Sequence, residues 1–538
     1  MVKVSDVIVD TLIKLGVKRV YGIPGDTIAP FLDSIKKSGK ITFIQVRHEE
    51  YGAIAAEYEW RISSQLAVCT ATSGPGVANL ISGLYDAKMD HVPVLAITGL
   101  VETKNLWRGY TQELNSLKLF DDVSVFNSLL INSNEAEYII YKAYNIALNK
   151  KGVSHVAVPL DVFMSEGSQE GYANVEIVKP VQEFRIDVNK AVEIIQESER
   201  PVIIIGGGAI GEGDRVATLA KKISAPILFS LNGKGIVSED EEFIIGGIGL
   251  MGNYASYYAI SNADLILALG TSLPFREYIP KDAKVIQVDI DPLALNDKFR
   301  VDLAYNVPLK YFLDAILDNI KGKEKSNFLR EVLSYKKRWE EYSRKVEDEN
   351  LNPIKPQRVI SSLSRNLMDG DVVVVDAGSS TAWVSRHFKV NKNIKIVFTS
   401  WLGMMGVSIP GVLAGSFLNR KRVIGIAGDG AFSMSMMELL TLKKYNSNGK
   451  VIVLNNGVYG TVKYEQEKLG FESFGIELSE ANFSKVAEAM GITGIRIEDV
   501  RELDEKIVKF LNVKGPAVLE VLVDPNEIPI PWNVIPPT

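Results

Sequence analysis

The sequence predicts an α/β protein with three domains, each built on a mainly parallel sheet flanked by helices, and three observations lead to this prediction. Short apolar runs rich in β-branched residues alternate with helical patterns throughout the chain. These runs are continuously apolar, as expected of strands that are buried on both faces of a parallel sheet. The length of 538 residues suits about three domains of roughly 150 residues each.

The predicted strands fall into three groups. The first group contains KRVYGI, QLAVCTA, VPVLAIT and SHVAVPL, the second RPVIIIGGG, ADLILALG and AKVIQVDI, and the third DVVVVDAG, RVIGIAGDG, KVIVLNN and PAVLEVLV. Polar stretches at 165–185 and 321–357 separate the groups and are predicted linkers, the second partly helical. We therefore expect an N-terminal domain at 1–175, a central domain at 185–335 and a C-terminal domain at 355–538.

Composition and charge narrow the classes of function. The chain has 60 basic and 66 acidic residues, a net charge of -6, and no basic cluster of the kind that binds nucleic acid. Cys69 is the one cysteine, so no disulfide forms within the chain and a reducing compartment is expected. The N-terminus lacks the apolar core of a signal peptide, and no apolar run reaches the ~18 residues of a membrane span. We expect a cytoplasmic protein.

Two turns in the C-terminal third carry residues suited to a metal site. Gly428, Asp429 and Gly430 follow one predicted strand, and Asn456 ends the next. Glycines allow backbone N–H groups to approach an anion, while carboxylate and amide oxygens are ligands that Mg²⁺ accepts. Consecutive strand ends of a parallel sheet lie side by side. Each motif alone is also an ordinary turn sequence, but together they predict a metal-clamped diphosphate.

From Gly428 to Asn456 the sequence resembles the thiamine diphosphate motif that begins with GDG and ends with NN. The whole chain is similar to the family of pyruvate oxidase, acetolactate synthase and pyruvate decarboxylase. This resemblance implies a thiamine-diphosphate-binding fold with an N-terminal pyrimidine-binding domain, a Rossmann-like FAD-binding central domain and a C-terminal diphosphate-binding domain. It also implies Mg²⁺ ligands and cofactor contacts: Asp429, Asn456 and the Val458 carbonyl for the metal, and Gly428, Gly430, Ala431, Ser379 and Ser380 for the cofactor.

The resemblance further implies residues that activate the cofactor. In VRHEEYGAIAAE, Glu49 takes the position of the glutamate that shares a proton with the aminopyrimidine ring. An ion pair with Arg47 at the start of a helix is the alternative interpretation. In WLGMMGVSIPG, Met405 takes the position of the apolar wedge that bends the cofactor, and the Gly403 carbonyl that of the acceptor for its amine. By pattern alone, Met405 is a core residue.

Two segments resemble the substrate side of these enzymes. VYGTVKYEQEKLGF at 458–471 is similar to a helix of pyruvate oxidases and places Glu465 near the substrate, although its charges also fit a solvated helix face. GYTQELN resembles the segment that contributes a glutamine, here Gln112. Thr111 stands where the family normally has a phenylalanine, which leaves the specificity for the acceptor open.

The central domain poses the question of a second cofactor. VIIIGGGAIGEG fits G-x-G-x-x-G at Gly206, Gly208 and Gly211, but the next strand, in APILFSLNG, ends without the acidic residue of an NAD site. LGTSLPFREYIP at 269–280 and VDIDP at 288–292 instead resemble the flavin segments of quinone-dependent pyruvate oxidases. The alternative is a scaffold without functional flavin, since NVPLK replaces the usual Gly-Asp pair near the adenine end. The expected flavin residues are Gly207, Gly208, Gly249, Gly270, Thr271, Arg276 and Asp291.

These resemblances imply oxidative decarboxylation of pyruvate to acetate or acetyl phosphate plus CO₂, dependent on thiamine diphosphate, Mg²⁺ and FAD. The alternatives are acetolactate synthesis from two 2-keto acids with a structural FAD, and non-oxidative decarboxylation of a 2-keto acid. A catalytically silent regulatory or scaffold subunit is a further alternative. The joint presence of Glu49, Met405, Asp429 and Asn456 argues against it.

The resemblance also bears on assembly. In this family the glutamate and the diphosphate site come from different subunits, which implies at least a homodimer and commonly a homotetramer. The chain stops at IPIPWNVIPPT, where the quinone-dependent enzymes continue into an amphipathic tail. We therefore expect no membrane-binding tail, and the electron acceptor is left open.

Overall fold

The computed structural model describes residues 2–174, 185–272, 276–391, 393–418 and 420–537, with the backbone alone at Arg276. These residues form three six-stranded sheets, and the paired strands within each sheet all run parallel. The predicted α/β class with three parallel sheets is confirmed. Within the same residues, no helix combines the length and the apolar character needed to cross a membrane.

The first sheet lies in the N-terminal part of the chain. Its strands are β1 (Arg19–Gly22), β2 (Thr42–Gln45), β3 (Val68–Ala71), β4 (Val94–Leu100), β5 (Ser124–Leu129) and β6 (Val153–Pro159). Their order is β2-β1-β3-β4-β6-β5, and β3, β4 and β6 are buried at every position. The helices are α1 (Val4–Lys14), α2 (Ala29–Ser38), α3 (Glu49–Ser63), α4 (Pro75–Met89), α5 (Ser116–Phe120), α6 (Ala136–Lys150) and α7 (Leu160–Met164).

The second sheet occupies the middle of the chain. Its strands are β7 (Pro201–Ile205), β8 (Ile227–Phe229), β9 (Ile244–Gly247), β10 (Leu265–Leu269), β11 (Lys284–Asp289) and β12 (Leu303–Asn306). The order β12-β11-β10-β7-β8-β9 reverses direction between β7 and β10, as in a dinucleotide-binding sheet. The helices are α8 (Asn189–Glu197), α9 (Gly213–Ile223), α10 (Tyr254–Ser261) and α11 (Leu309–Asn319).

The long helix α12 (Asn327–Glu347) leads to the third sheet and makes the predicted second linker partly helical. The strands are β13 (Val372–Val375), β14 (Lys395–Phe398), β15 (Val423–Gly428), β16 (Lys450–Asn455), β17 (Thr493–Ile497) and β18 (Ala517–Leu522), in the order β14-β13-β15-β16-β18-β17. The helices are α13 (Pro356–Asn366), α14 (Ser379–His387), α15 (Ser408–Ser416), α16 (Asp429–Ser435), α17 (Leu439–Lys444), α18 (Gly460–Lys468), α19 (Phe483–Ala489) and α20 (Leu503–Leu511).

Short 3-10 helices occur in the connections of all three regions. In the described residues they lie at Asp26–Ile28, Thr103–Asn105, Ser133–Glu135, Tyr172–Asn174, Gly207–Ala209, Leu231–Gly233, Gly249–Met251, Arg276–Tyr278, Pro292–Ala294, Met436–Glu438 and Val500–Glu502. Those at Gly207–Ala209 and Gly249–Met251 follow β7 and β9 of the second sheet, at the edge where a ligand of such a sheet binds.

The N-terminal and C-terminal sheets share one strand order, when each is numbered from its own first strand. The two regions pack together through α3 and α15, and one hydrophobic core cluster includes Tyr58 of α3 with Val412 and Leu413 of α15. A Cβ added at Gly411 would lie 2.7 Å from the Tyr58 ring. A glycine is therefore required where these two helices meet.

A buried group of charges reinforces this contact. Arg61 of α3 donates to Glu57 at 2.6 Å and also pairs with Asp90. Asp90 in turn accepts backbone N–H groups of Ser400 and Trp401 at 3.1 and 3.2 Å. Burial raises the pKa of the Glu57 carboxyl well above its ordinary value. Hence the N-terminal region holds the segment after β14, which leads to the predicted site.

Candidate active site

Asp429 connects the two predicted turns of the C-terminal sheet. It begins α16 directly after β15, while Asn456 follows the neighbouring strand β16. The Asp429 carboxylate accepts the N–H of Gly430 at 3.1 Å and, through its other oxygen, the N–H of Gly457 at 2.7 Å. One carboxylate thus fixes the distance between both turns, as the adjacent strand ends led us to expect.

These turns border a cleft of about 430 Å³ at the carboxyl edge of the sheet. The first residues of α14, α16 and α18 all line it. Helix N-termini have unpaired N–H groups that bind phosphate. The lining residues are Ala377, Gly378, Ser379, Ser380, Met405, Gly428, Asp429, Gly430, Ala431, Asn456, Val458, Tyr459, Gly460, Thr461 and Val462.

The donor atoms around this cleft fit a divalent cation with a diphosphate. Asp429 is 4% exposed, and burial raises the pKa of its carboxyl against the effect of its N–H donors. A bound cation would offset that burial. The Asn456 side-chain oxygen accepts the Val458 N–H at 3.3 Å, which places an amide oxygen beside the same turn. A Cβ at Gly428 or Gly457 would meet nothing within 4 Å, so open space lies in front of both glycines.

Ser379 and Ser380 occupy different positions at the start of α14. Ser379 is half-buried, and its hydroxyl oxygen lies 3.7 Å from where a Cβ at Gly460 would be. The Ser380 hydroxyl is buried and donates to the Asp376 carbonyl at 2.9 Å. Ser379 therefore offers its hydroxyl to the cleft, whereas Ser380 contributes mainly its place at the helix N-terminus.

Met405 reaches the cleft from the segment before α15. Its terminal methyl lies 3.4 Å from where a Cβ at Gly430 would be, so the thioether and the Gly-Asp-Gly turn form adjoining walls. Gly403 is exposed, has φ +67°, and would have nothing within 4 Å of a Cβ. This left-handed turn is readily adopted by glycine and leaves Gly403 beside open space.

Glu49 is the first residue of α3 and is 6% exposed. The Asn79 side chain donates to one carboxylate oxygen at 3.0 Å, and a Cβ at Gly76 would lie 3.0 Å from the other. Among the described residues no ion pair joins Glu49 to Arg47. The backbone N–H of Arg47 donates to the Glu438 carboxylate at 2.7 Å. Sequence reasoning missed Asn79, which lies in α4, 30 residues further along the chain than Glu49.

Gln112 and Glu465, the two residues predicted on the substrate side, do not line the Asp429 cleft. Gln112 is exposed with φ +63°, and a Cβ at Gly74 would come within 2.8 Å of its Cβ. Gln112 and Glu49 therefore flank the Ser73–Gly76 segment. Glu465 is exposed on α18 and lines an outer cleft with Tyr278 and Trp532, so α18 borders two clefts, one with its first turn and one with its later residues.

A second cleft of about 890 Å³ lies at the switch point of the central sheet. Of the predicted flavin residues, Gly207, Gly270 and Thr271 line it. Sequence reasoning missed Asn232 and Trp401, although Trp401 stands in the segment that carries Met405. The full lining is Gly207, Ser230, Leu231, Asn232, Ile248, Leu250, Met251, Gly270, Thr271, Ser272, Ser400 and Trp401.

The remaining predicted flavin residues are not in that lining. Gly208 packs against Gly270, since a Cβ there would lie 2.8 Å from the Gly270 Cα. Gly249, with φ +63°, starts the 3-10 helix that presents Leu250 and Met251. Asp291 accepts the Leu293 N–H at 2.9 Å and caps the next 3-10 helix. The Arg276 side chain lies outside the described residues.

Three family models match the chain in order. The model described as thiamine pyrophosphate enzyme, N-terminal TPP binding domain, covers residues 2–119. The central domain of the same enzymes covers 188–316. The C-terminal TPP binding domain covers 376–521, the range that contains Met405, Asp429 and Asn456.

Known proteins are similar over nearly the whole length. YdaP of Bacillus subtilis, whose name describes a thiamine pyrophosphate-containing protein, is 34% identical over 96% of this chain and 91% of its own. A probable acetolactate synthase large subunit of Methanocaldococcus jannaschii is 32% identical over 98% and 92%. The pyruvate oxidase of Lactiplantibacillus plantarum is 29% identical over 96% and 87%.

Proposed function

Because the chain belongs to the thiamine pyrophosphate enzyme family, we propose that it is a pyruvate oxidase. In this proposal it uses thiamine diphosphate, Mg²⁺ and FAD to convert pyruvate to CO₂ and acetate, or acetyl phosphate where phosphate is the co-substrate. The observation that carries the proposal is the cleft of the central sheet, whose wall includes Ser400 and Trp401. These residues belong to the segment that ends in Met405.

The C-terminal cleft supplies the proposed binding site for the cofactor's diphosphate. Asp429, Asn456 and the Val458 carbonyl would hold Mg²⁺, and the helix N-termini would bind the phosphates. Met405 would support the rings from its adjoining wall. When bound, thiamine diphosphate supplies a carbon nucleophile that attacks the keto carbon and stores the electron pair left by loss of CO₂.

Glu49 is the proposed proton-transfer residue at the cofactor. It is buried, and within the described part of the chain Asn79 is its one side-chain donor, so lone pairs remain for exchange of a proton with a ring nitrogen. Glu49 is not among the residues that line the Asp429 cleft. This supports a homodimer in which each cleft receives its glutamate from the partner, and we propose a homotetramer of such pairs in the cytoplasm.

The substrate side is proposed to lie between Gln112 and Glu465. Both are exposed in the single chain, and Glu465 lies on the helix whose first turn lines the Asp429 cleft. The small anion pyruvate offers a carboxylate and a ketone, which the Gln112 amide can bind by donating N–H groups.

The proposed flavin site lies beside the thiamine site. Gly207, Gly270 and Thr271 line the central cleft together with Trp401. Trp401 also carries the Lys298 ammonium 3.4 Å from its ring centroid, a cation–π contact that holds the indole in place. A flavin in this cleft would lie next to the segment that carries Met405, as electron transfer from the thiamine site requires.

Acetolactate synthesis is the second candidate, and a specific observation favours it. The acetolactate synthase relative is 32% identical over 98% of the chain, at least as similar as the pyruvate oxidase. In that case a second 2-keto acid attacks or is attacked at the same carbon, and FAD is structural. Pyruvate would then yield acetolactate without an electron acceptor.

A visible spectrum of the purified protein separates these functions. The protein is scanned, then scanned again under anaerobic conditions after addition of pyruvate, thiamine diphosphate and Mg²⁺. A flavin band at about 450 nm that bleaches is expected for an oxidase, since electrons pass to the flavin. A band that stays unbleached while acetolactate or acetaldehyde accumulates, or the lack of any band, contradicts the oxidase proposal.

A further inference from the structure

Asp376 is a fully buried carboxylate beneath the turn that presents Met405. One of its oxygens accepts the N–H of Gly406 at 2.7 Å and that of Val407 at 3.3 Å. The other accepts the N–H of Ser408 at 2.9 Å, where α15 begins. Three successive backbone N–H groups directly after Met405 therefore point at one side chain.

A second buried group holds the residue on the other side of Met405. The Thr399 hydroxyl accepts the N–H of Met404 at 3.0 Å and donates to Asp86 of the N-terminal region at 2.8 Å. The backbone is therefore anchored immediately before and immediately after Met405. A turn held on both sides keeps the thioether in one place, which an unsupported loop would not do.

Asp376 also connects this turn to the phosphate side of the cleft. It directly precedes Ala377 and Gly378, which line the cleft. The Ser380 and Thr381 hydroxyls both donate to its carbonyl at 2.9 Å, so its backbone is anchored as firmly as its side chain. Burial raises the pKa of the Asp376 carboxyl, and the Ser408 side chain together with the N–H donors of the turn opposes that rise.

We propose that Asp376, assisted by Thr399, is a positioning residue that fixes the Met405 turn for the rings of the cofactor. The inference rests on the proposed role of Met405. A carboxylate is required because it accepts three N–H groups and donates none. An asparagine of the same shape presents an NH₂ group to one of those donors, so at least one bond is lost and the turn relaxes.

The test compares two ligands of the same cleft by calorimetric titration of the full-length apoprotein. Thiamine diphosphate with Mg²⁺ uses both the rings and the diphosphate, whereas Mg²⁺-pyrophosphate uses the diphosphate site alone. In Asp376→Asn, the affinity for thiamine diphosphate should fall about tenfold or more, because bonds to a buried charge are lost. The affinity for Mg²⁺-pyrophosphate should stay within about twofold. An equal loss for both ligands, or no loss for either, overturns the proposal.

Asp371 provides the matched control. It is also fully buried, but it lies before β13 whereas Asp376 lies after it, and it pairs with Arg422. Asp371→Asn should lower the melting temperature and leave the ratio of the two affinities unchanged. A change of the ratio in this variant as large as in Asp376→Asn contradicts a specific role for Asp376.

Two further variants keep the outcome clear. Met405→Ala should show the same selective loss; if it binds thiamine diphosphate normally, the proposed role of Met405 is wrong, independently of Asp376. If Asp376→Asn does not fold, Thr399→Val takes its place, since it removes the acceptor for the Met404 N–H together with the hydrogen bond to Asp86 and leaves Asp376 intact. A selective loss of thiamine diphosphate affinity is expected there too, and an unchanged ratio overturns the proposal.

Discussion

Glu49 and Asp429 are both buried acids, but their surroundings suit different tasks. The two oxygens of Asp429 each accept a backbone N–H, from Gly430 and Gly457, so the side chain is fixed and its remaining lone pairs can bind a metal. Glu49 accepts one side-chain N–H, from Asn79. The first arrangement favours a rigid charged ligand and the second a group that exchanges a proton.

Glu49→Gln tests the proton-transfer role. Glutamine keeps an oxygen for the Asn79 amide, so folding and melting temperature should be unchanged. Pyruvate turnover should fall by at least about 100-fold, because an amide cannot take part in acid–base exchange. The measurement is CO₂ release from pyruvate with saturating cofactors.

The matched control is Glu50→Gln, at the next position of the same helix. Glu50 lies near His48 at 3.6 Å and has no proposed role, so this variant should turn over pyruvate at close to the wild-type rate. Near-normal turnover in Glu49→Gln, or an equal loss of turnover in both variants, would contradict the proton-transfer role of Glu49.

At the scale of elements, His155 joins three neighbouring strands of the N-terminal sheet. From β6 its ring nitrogens lie 2.8 Å from the Thr98 hydroxyl of β4 and 2.8 Å from the Asn127 amide oxygen of β5. Phe120 stacks on the ring with centroids 3.6 Å apart. Burial lowers the pKa of His155 to about 3, so the ring is neutral in the folded protein.

This shift predicts how stability depends on pH. In the unfolded chain, His155 becomes protonated below its ordinary pKa of 6.5, whereas in the folded protein its pKa is about 3. The unfolded state thus binds more protons, and stability is lost as the pH falls through this window. Between pH 6 and 4, this one group should contribute a fall of about 1.4 kcal/mol per pH unit. Urea unfolding midpoints of the wild type and His155→Asn measure the difference, and parallel pH profiles would contradict it.

The contact between α3 and α15 gives a prediction about packing. A methyl group at Gly411 would lie 2.7 Å from both the Tyr58 ring and a Val374 methyl. Gly411→Ala should therefore lower the free energy of unfolding by about 1–3 kcal/mol through overpacking. Gly322→Ala is the control, since a Cβ there meets nothing within 4 Å. Equal melting temperatures of the two variants would contradict this prediction, because they would show that α3 and α15 can move apart without loss of stability.

Sequence reasoning found the inner strands and missed the edge strands. Each of the eleven quoted apolar runs overlaps one observed strand, and these strands lie inside the three sheets. None of the six edge strands β2, β5, β9, β12, β14 and β17 has a quoted run. Four of them, β2, β5, β12 and β17, are largely half-buried or exposed. An edge strand needs no continuous apolar run, because one side of it faces solvent or a loop.

At the scale of the whole molecule, the N-terminal and C-terminal regions share one strand order and pack through equivalent helices. The family that the sequence resembles is confirmed by matches along the chain. Glu49 and the Asp429 cleft lie in different regions, and the cleft lining comes from residues 377–462 alone. This separation supports the proposed homodimer, in which each region would complete a site of the partner chain.

Mixing two inactive variants tests this arrangement. Glu49→Gln and Asp429→Asn should each be inactive alone. After subunit exchange, about a quarter of the wild-type rate should return, because half of the randomly formed dimers are mixed and each mixed dimer has one intact site. The measurement is pyruvate turnover before and after exchange, with each variant exchanged against itself as the control. If no activity returns although mass spectrometry shows mixed dimers, both residues act within one chain.

Residues of the proposed site could be predicted where they stand at the ends of predicted strands. Contacts between residues that are distant in sequence could not. Asp429 and Asn456 stand at the ends of adjacent apolar runs, so their proximity follows from parallel pairing. Asn79 lies 30 residues from Glu49, and the bonds of Asp376 to the Met405 turn span 30 to 32 residues. No local pattern indicates such contacts.

The sequence by itself determined the α/β class, the inner strands and the turns that carry Asp429 and Asn456, because periodicity and turn chemistry are properties of neighbouring residues. The tertiary structure alone decided which strands form edges and which walls enclose the clefts. It also decided that Asp376 and Thr399 hold Met405 and that Trp401 borders the central cleft. These features depend on side chains that are distant in sequence and meet only when the sheets and helices have packed.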